Sequence, residues 1–192
     1  MRSTTLGGKL SGVAAALTLL AFFLPWVVVS CNDTPWLTLS GDQIAVGGEF
    51  TDEFGTKTEE IPGESLLLLV PATAVLVLVV SAAVYLLVRT GIVSHAIPSA
   101  YEFMIGAVQM ILGILGALAM YQVLSGMGAE WNASGDGASS GMDLAVRPRY
   151  GLWTTAAGLL GIVLGGVLGV AETLLRRPKE TGEPEARPID PR

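Results

Sequence analysis

Residues 65–88 read SLLLLVPATAVLVLVVSAAVYLLV, a run of 24 residues without a charged side chain. A helix of about 20 apolar residues is long enough to cross the hydrocarbon core of a membrane, which is about 30 Å thick. Three further apolar runs of similar length lie at about 10–29, 103–124 and 152–175. The β-branched residues 27–29 at the end of the first run are either the last turn of that helix or the start of a strand. The sequence therefore predicts an all-α membrane protein, built as a bundle of four transmembrane helices.

The composition of the chain agrees with this prediction. Of its 192 residues, 51% are hydrophobic and only 15% are charged, as in proteins that cross a membrane several times. The net charge of −6 is unevenly distributed, since eight acidic residues and one lysine lie between Cys31 and Glu64. Because no stretch forms a basic patch, nucleic acid is not expected as a partner.

The basic residues predict the orientation of the chain in the membrane. They are concentrated in the two termini and the short second loop, as Arg2, Lys9, Arg89, Arg176, Arg177, Lys179, Arg187 and Arg192. The two long loops, at 30–64 and 125–151, together contain only Lys57, Arg147 and Arg149. Loops rich in lysine and arginine stay on the cytoplasmic side. We therefore expect a multi-pass protein of the bacterial inner (plasma) membrane with cytoplasmic N- and C-termini.

Aromatic residues lie where the ends of the helices are predicted. Tryptophan and tyrosine rings favour the interface between lipid and water. Trp26, Trp36, Tyr121, Tyr150 and Trp153 fall near the predicted outer ends, and Tyr85 and Tyr101 fall near the inner ends. These rings are expected to mark the two interfaces.

The first outer loop is too long for a simple connection. It contains short alternating stretches at 36–39 and 43–46, so we expect a small β-containing extracytoplasmic cap. The transmembrane domain is predicted to occupy residues 1–176. Residues 177–192 are rich in proline, glutamate and arginine, a composition typical of a disordered cytoplasmic tail.

Small residues recur at intervals of four in three of the apolar runs. Such rows let two helix backbones approach each other closely in lipid. The predicted helix-packing residues are Gly8, Gly12 and Ala16 in the first run, Gly113 and Ala117 in the third, and Gly161, Gly165 and Gly169 in the fourth. The second run is rich in leucine and valine, which predicts wide exposure to lipid.

Two segments of the outer loops resemble each other. Residues 40–46 and 140–146 share the pattern Ser-Gly-x-x-(Ile/Leu)-Ala-Val, and the ends of the even runs, at 83–89 and 171–177, also correspond. A chance match of common residues is the alternative. We interpret the pattern as two repeated helical hairpins, related by an axis along the membrane normal.

Reactive side chains are scarce in this sequence. His95 is the only histidine and lies in an inner loop, which excludes a haem held by two histidines. Gln109 is the most polar residue deep within a predicted span. We expect its amide to form a hydrogen bond to another helix, with a place in a pore as the alternative. No catalytic, cofactor-binding or metal-binding residues are predicted.

Cys31 is the only cysteine, and it ends the stretch Val28-Val29-Ser30-Cys31. That stretch resembles a bacterial lipidation signal, so lipidation of Cys31 is one interpretation. The other is an ordinary thiol near the interface. We favour the latter because the preceding apolar run is longer than the about 7–15 residues of a signal peptide.

Three stretches carry a resemblance to a known kind of protein. They are Leu24-Pro25-Trp26-Val27-Val28-Val29-Ser30-Cys31, the Ser40-Gly41 turn, and Tyr150-Gly151-Leu152-Trp153. Together, across most of residues 10–175, they resemble small uncharacterised four-helix bacterial membrane proteins. The layout is also similar to that of claudins and tetraspanins. Claudins, however, have Gly-Leu-Trp and two cysteines in the first loop, whereas here Gly-Leu-Trp lies at 151–153, so homology to claudins is rejected.

These observations predict a non-enzymatic integral membrane protein, a structural or accessory subunit that packs against partner membrane proteins. Its expected partners are membrane lipids and other membrane subunits or copies of itself. The alternative is a small transporter or channel, since the hairpin is repeated and the acidic outer loop would attract cations. An enzyme acting on lipid has no support from clustered His, Asp and Ser residues.

Overall fold

A computed structural model describes residues 6–31, 34–49, 51, 55, 61–90, 99–135 and 144–175. The predicted tail at 177–192 lies outside these described residues. The chain begins with helix α1 (Leu6–Phe22), strands β1 (Pro25–Cys31) and β2 (Thr34–Ser40), and a short helix α2 (Gly41–Val46). The two-residue strands β3 (Gly47–Gly48) and β4 (Ile61–Pro62) and a 3-10 turn (Ser65–Leu68) follow. Helices α3 (Leu69–Arg89) and α4 (Ser99–Gly135), strand β5 (Leu144–Pro148) and helix α5 (Tyr150–Leu175) complete the fold.

The four long helices pack as an antiparallel bundle. Their order around the bundle is α1, α3, α4, α5, so that α5 lies between α4 and α1. We call the end where α1 and α4 finish the sheet end, because β1, β2 and β5 lie there. The opposite end, where α1 begins and α5 finishes, is called the tail end.

Three helical segments are long and apolar enough to cross a membrane, as the sequence predicted. They are Ser65–Arg89, Tyr101–Gly126 and Tyr150–Leu175. The fourth, α1, is apolar but has only 17 residues. The architecture is therefore that of a mostly helical membrane protein with a small sheet.

Helix α1 does not extend over the predicted range 10–29. It ends at Phe22, and Pro25–Cys31 forms a strand instead. Pro25 cannot donate a backbone hydrogen bond, and the β-branched residues that follow favour an extended backbone. The hydrophobicity of this stretch was correctly recognised, but its end belongs to the sheet.

Helix α4 is longer than predicted. It continues to Gly135, eleven residues beyond the predicted end at 124. Hydrophobicity marks only the part of a helix that meets lipid, whereas methionine, alanine and glutamate also favour a helix in water. The predicted outer loop at 125–151 therefore begins as helix.

The expected β-structure is present as a three-stranded antiparallel sheet in the order β2-β1-β5. Strand β1 pairs with β5 from Val27 opposite Pro148 to Cys31 opposite Leu144. The sheet thus joins the chain after α1 to the chain before α5. The stretch at 43–46 is not a strand, however, but lies in α2.

The two copies of the sequence repeat do not share one backbone conformation. Residues 44–46 are helical in α2, whereas residues 144–146 are extended in β5. Residues 140–143 lie outside the part of the chain that is described. The order of the helices around the bundle is compatible with two hairpins, and the duplication stays a prediction.

Candidate functional site

A close helix contact brings the backbones of α1 and α5 together. A β-carbon added to Gly7 would lie 2.5 Å from both the carbonyl oxygen of Gly165 and the backbone nitrogen of Gly169. A β-carbon on Gly165 would lie 2.8 Å from the backbone nitrogen of Ser11. These distances leave no room for a side chain, so the tail-end halves of the two helices touch through their main chains.

The same contact continues toward the sheet end. A β-carbon on Gly158 would lie 3.2 Å from the Ala14 carbonyl oxygen and would collide with the Thr18 hydroxyl. One on Gly161 would lie 2.8 Å from the Ala14 β-carbon. Helix α1 therefore follows α5 over three turns.

A second close contact holds α5 against α4. A β-carbon on Gly166 would lie 2.7 Å from the Gly106 carbonyl oxygen and from the Met110 backbone nitrogen. A β-carbon on Gly113 would lie 3.1 Å from Ile162 and closer still to Val163. Helix α5 is thus fixed on two sides by glycine contacts.

The predicted helix-packing residues are only partly those that form these contacts. Gly113, Gly161, Gly165 and Gly169 lie in them. In the first helix the predicted row Gly8, Gly12 and Ala16 is only half-buried, and the buried residues are Gly7, Ser11, Ala14, Ala15, Thr18, Ala21 and Phe22. Gly12 faces Ser81 of α3 instead. Ala117 is exposed on the outside of α4, so it does not pack within the bundle, and its predicted packing against a partner helix stays a prediction.

The signal that locates the contact face of α1 was available in the sequence. Ser11 and Thr18 are small enough to serve in a small-residue row, as glycine and alanine do. Counting them shifts the face by one residue, from Gly8 to Gly7. Gly106 and Gly166 were not among the predicted packing residues, because small residues do not recur beside them at a spacing of four.

Gln109 is 2% exposed and lies inside the bundle. Its Nε2 donates a hydrogen bond of 3.1 Å to the Ser81 hydroxyl of α3. A β-carbon on Gly12 of α1 would lie 3.4 Å from the Ser81 β-carbon. This polar pair therefore lies where α1, α3 and α4 meet.

The buried hydroxyl groups donate to backbone carbonyl oxygens. Thr18, Thr155 and Thr173 each bond to the carbonyl four residues earlier, at 2.9, 2.8 and 2.9 Å. Ser11 bonds across to the Ile162 carbonyl of α5 at 3.4 Å. Within the described ranges no three His, Cys, Asp or Glu side chains are grouped so as to hold a metal ion. Three of these four hydroxyls thus bond within their own helix, and the Ser11 hydroxyl joins two helices.

The Gln109–Ser81 bond is expected to contribute a coupling free energy of about 0.6–1.7 kcal/mol, the range seen for interhelical hydrogen bonds in membranes. A double-mutant cycle with Gln109→Leu and Ser81→Ala, measured by unfolding in mixed micelles, gives this value. Gln122, exposed on the same helix, is the matched control. If Gln122→Leu shows the same coupling free energy with Ser81→Ala, the measured value does not come from the Gln109–Ser81 hydrogen bond.

The second distinctive feature is a socket around Trp26, which is completely buried. β-Carbons on Gly41 and Gly151 would lie 2.7 Å and 2.9 Å from its ring. The ring meets Phe22 edge to face at 5.6 Å, and its Nε1 donates to the Ala21 carbonyl at 3.0 Å. The socket joins the last turn of α1 and the start of β1 to the first residues of α2 and α5.

Trp26 is therefore not an interfacial ring, contrary to the sequence prediction. The indole of Trp26 lies within the protein and not against lipid, because Gly41 and Gly151 leave room for it. The three stretches that carried the family resemblance all meet in this socket. Their spacing in the sequence gave no indication of this contact.

Five of the other predicted interfacial rings have exposed positions, whereas Trp36 is half-buried in β2. Tyr121, Tyr150 and Trp153 are exposed toward the sheet end, and Tyr85 and Tyr101 toward the tail end. From Tyr101 to Tyr121 a helix rises about 30 Å, which equals the thickness of the hydrocarbon core. These positions suit rings at the two lipid–water interfaces.

Cys31 is the last residue of β1, and its backbone is paired with Thr34 and Leu144. Cleavage before Cys31, which lipidation requires, would remove α1 and with it the glycine contacts to α5. Lipidation of Cys31 stays a hypothesis, and it would require that the mature protein lack α1.

No protein-family model matches this chain, and no curated protein matches it either.

Proposed function

We propose that the chain is a non-enzymatic integral membrane protein, a structural or accessory subunit that packs against partner membrane proteins. The observation that carries this proposal is how the interior is used. Glycine contacts bring the backbones of α1, α5 and α4 together, and buried hydroxyls bond to carbonyl oxygens. An interior of this kind favours a rigid scaffold over a reaction site.

The proposal includes α1 as a fourth membrane span. Its 17 residues rise about 26 Å, and turn hydrogen bonds from Phe23 and Leu24 continue it. Its contacts with α5 extend from Gly169 to Gly158, which is the middle of a candidate span. Because α1 packs against the middle of α5, the proposal places both helices in the hydrocarbon core of the membrane.

The proposal also places the tail end in the cytoplasm of a bacterial cell and the sheet end outside the inner membrane. Its support is the asymmetry of lysine and arginine. The sheet and α2 then form an extracytoplasmic cap, and the two hairpins remain the suggested repeat.

The exposed surface of helix α3 is the proposed contact surface for a partner membrane protein. The small-residue rows of α5 are used within the chain, so they do not supply this face. The buried residues of α3, Val70, Thr73, Ala74 and Val77, all lie in its first half. Its second half, from Leu78 to Arg89, contains no buried residue, and its apolar surface suits a helix of another subunit or of a second copy.

Photo-crosslinking from the α3 surface tests this proposal. A photoreactive residue in place of Val79 is expected to give a discrete adduct with one membrane protein. Leu160 on α5 is the matched control, since the two side chains are 58% and 59% exposed. The control is expected to give only lipid adducts. Lipid adducts alone from both positions, with a lone monomer purified from native membranes, would contradict the proposal.

A small transporter or channel is the second candidate, and the Gln109–Ser81 pair is the observation that favours it. A path for ions would need polar groups of this kind inside the bundle. The glycine contacts of α5 would have to separate for such a path to open. The absence of any ion flux in proteoliposomes would eliminate this candidate.

A further inference from the structure

Helix α3 differs from its neighbours in how its burial is distributed. Buried residues occur over nearly the whole length of α1, from 7 to 22, and of α5, from 151 to 173. In α3 they occur only from 70 to 77. The second half of α3, residues 78–89, contains exposed and half-buried residues. This half therefore lies at the edge of the packed interior.

The first half of α3 is fixed by close contacts. Val70 and Val77 are completely buried. A β-carbon added to Gly116 of α4 would lie 2.9 Å from the Thr73 hydroxyl oxygen. Because a close-packed interior of this kind resists rearrangement, the sheet-end half of the helix is held in place.

The second half of α3 is packed less closely. A β-carbon added to Gly12 of α1 would lie 3.4 Å from the Ser81 β-carbon and 3.6 Å from its hydroxyl oxygen, which are ordinary contact distances. At the same end of the bundle, α1, α4 and α5 touch through main-chain atoms at Gly7 and Gly166. The tail end is thus a tight group of three helices, with α3 beside them.

A polar contact joins this half of α3 to that group. Gln109 of α4, which is buried, donates its hydrogen bond of 3.1 Å to Ser81. An interhelical hydrogen bond in a membrane changes an equilibrium constant by about 3- to 20-fold. A bond of this strength can break thermally, yet it decides which of two arrangements is more populated.

The second half is long enough for its movement to matter. The twelve residues from Val77 to Arg89 span about 18 Å. Transmembrane helices are tilted by about 20° on average, and a change of tilt of that size would displace Arg89 by about 6 Å. Such a displacement would separate Ser81 from Gln109.

We propose that the second half of α3 is a hinged segment, which the Gln109–Ser81 hydrogen bond holds closed against α1 and α4. When the bond breaks, the segment tilts outward from the fixed first half, and the Gln109 amide becomes accessible from the tail end. The closed state predominates in this equilibrium. The inference goes beyond the proposed function, because it requires no partner protein.

Electron–electron spin distances in lipid nanodiscs test the proposal. Spin labels at Leu86→Cys and Leu174→Cys, in a Cys31→Ser background, lie at exposed tail-end positions on α3 and α5. Opening is expected to add a second distance, longer by about 5 Å. In Gln109→Leu the ratio of the longer to the shorter distance is expected to rise about 3- to 20-fold over that of the otherwise unchanged protein.

The controls separate a hinge from general loosening. Labels at Leu69→Cys and Leu160→Cys, exposed on the same two helices nearer the sheet end, are expected to keep one distance in all variants. Gln122→Leu, at an exposed position of α4, is expected to leave the tail-end ratio unchanged. Ser81→Ala removes the same hydrogen bond with a smaller change of volume, and it is expected to raise the ratio as Gln109→Leu does.

Three results would overturn the hinge: an unchanged tail-end ratio in Ser81→Ala and Gln109→Leu, an equal rise in Gln122→Leu, or a second distance for the sheet-end labels. The measurement uses the purified chain alone, so it does not depend on the proposed partner. Crosslinking from Val79 reports on the accessory role, and either proposal can fail while the other stands.

Discussion

Replacing Trp26 by alanine is expected to lower the free energy of unfolding by about 3–5 kcal/mol, the range for truncation of a large buried aromatic residue. The indole is completely buried and fills the space between Gly41 and Gly151. Its removal leaves a cavity and also deletes the hydrogen bond to Ala21. Because the socket joins α1, α2 and α5, little of the cavity can be filled by local movement.

The measurement is unfolding of the detergent-solubilised protein by sodium dodecyl sulfate. Trp153→Ala is the matched control, since that ring is 64% exposed near the same end of the bundle. It is expected to cost less than about 1 kcal/mol, as exposed substitutions usually do. Equal losses for the two variants would show that Trp26 does not organise the sheet end.

Replacing Gly165 by leucine is expected to destabilise the bundle by about 3 kcal/mol or more, because overpacking at a backbone contact cannot be relieved by a side-chain rotation. A β-carbon at this position already collides with the Ser11 hydroxyl and lies 2.8 Å from the Gly7 carbonyl oxygen. Helices α1 and α5 would have to separate along most of their contact.

Gly126 provides the control for this substitution. It lies in α4, it is exposed, and a β-carbon there would have no atom within 4 Å. Gly126→Leu is expected to leave the unfolding free energy nearly unchanged or slightly higher, since leucine favours a helix more than glycine. If Gly165→Leu were tolerated as well as Gly126→Leu, the α1–α5 contact would not be as close as described.

The sequence predicted the long apolar helices α3 and α5 well because hydrophobicity decides them. Long apolar runs, with Glu172 as their only charged residue, located these two helices to within four residues at each end. The end of α1 was misjudged because hydrophobicity does not distinguish a helix in lipid from a buried strand. Pro25-Trp26 followed by the three valines at 27–29 was the local signal for the change.

The contacts within the bundle were less predictable. The small-residue row of α1 was displaced by one residue because Ser11 and Thr18 were not counted as small. The burial of Trp26 depends on Gly41 and Gly151, which are distant in the sequence. Tertiary contacts of this kind cannot be derived from periodicity in one helix.

We propose that α1 crosses the membrane together with the other three long helices. Single cysteines in place of Leu6 and Thr34, in a Cys31→Ser background, lie at two exposed positions, the first residue of α1 and a residue of β2 beyond its end. A membrane-impermeant maleimide is added to intact cells and then to permeabilised cells. Cysteine at 34 is expected to react in intact cells, and cysteine at 6 only after permeabilisation. Reaction of both from the same side would contradict the fourth span and the bundle that depends on it.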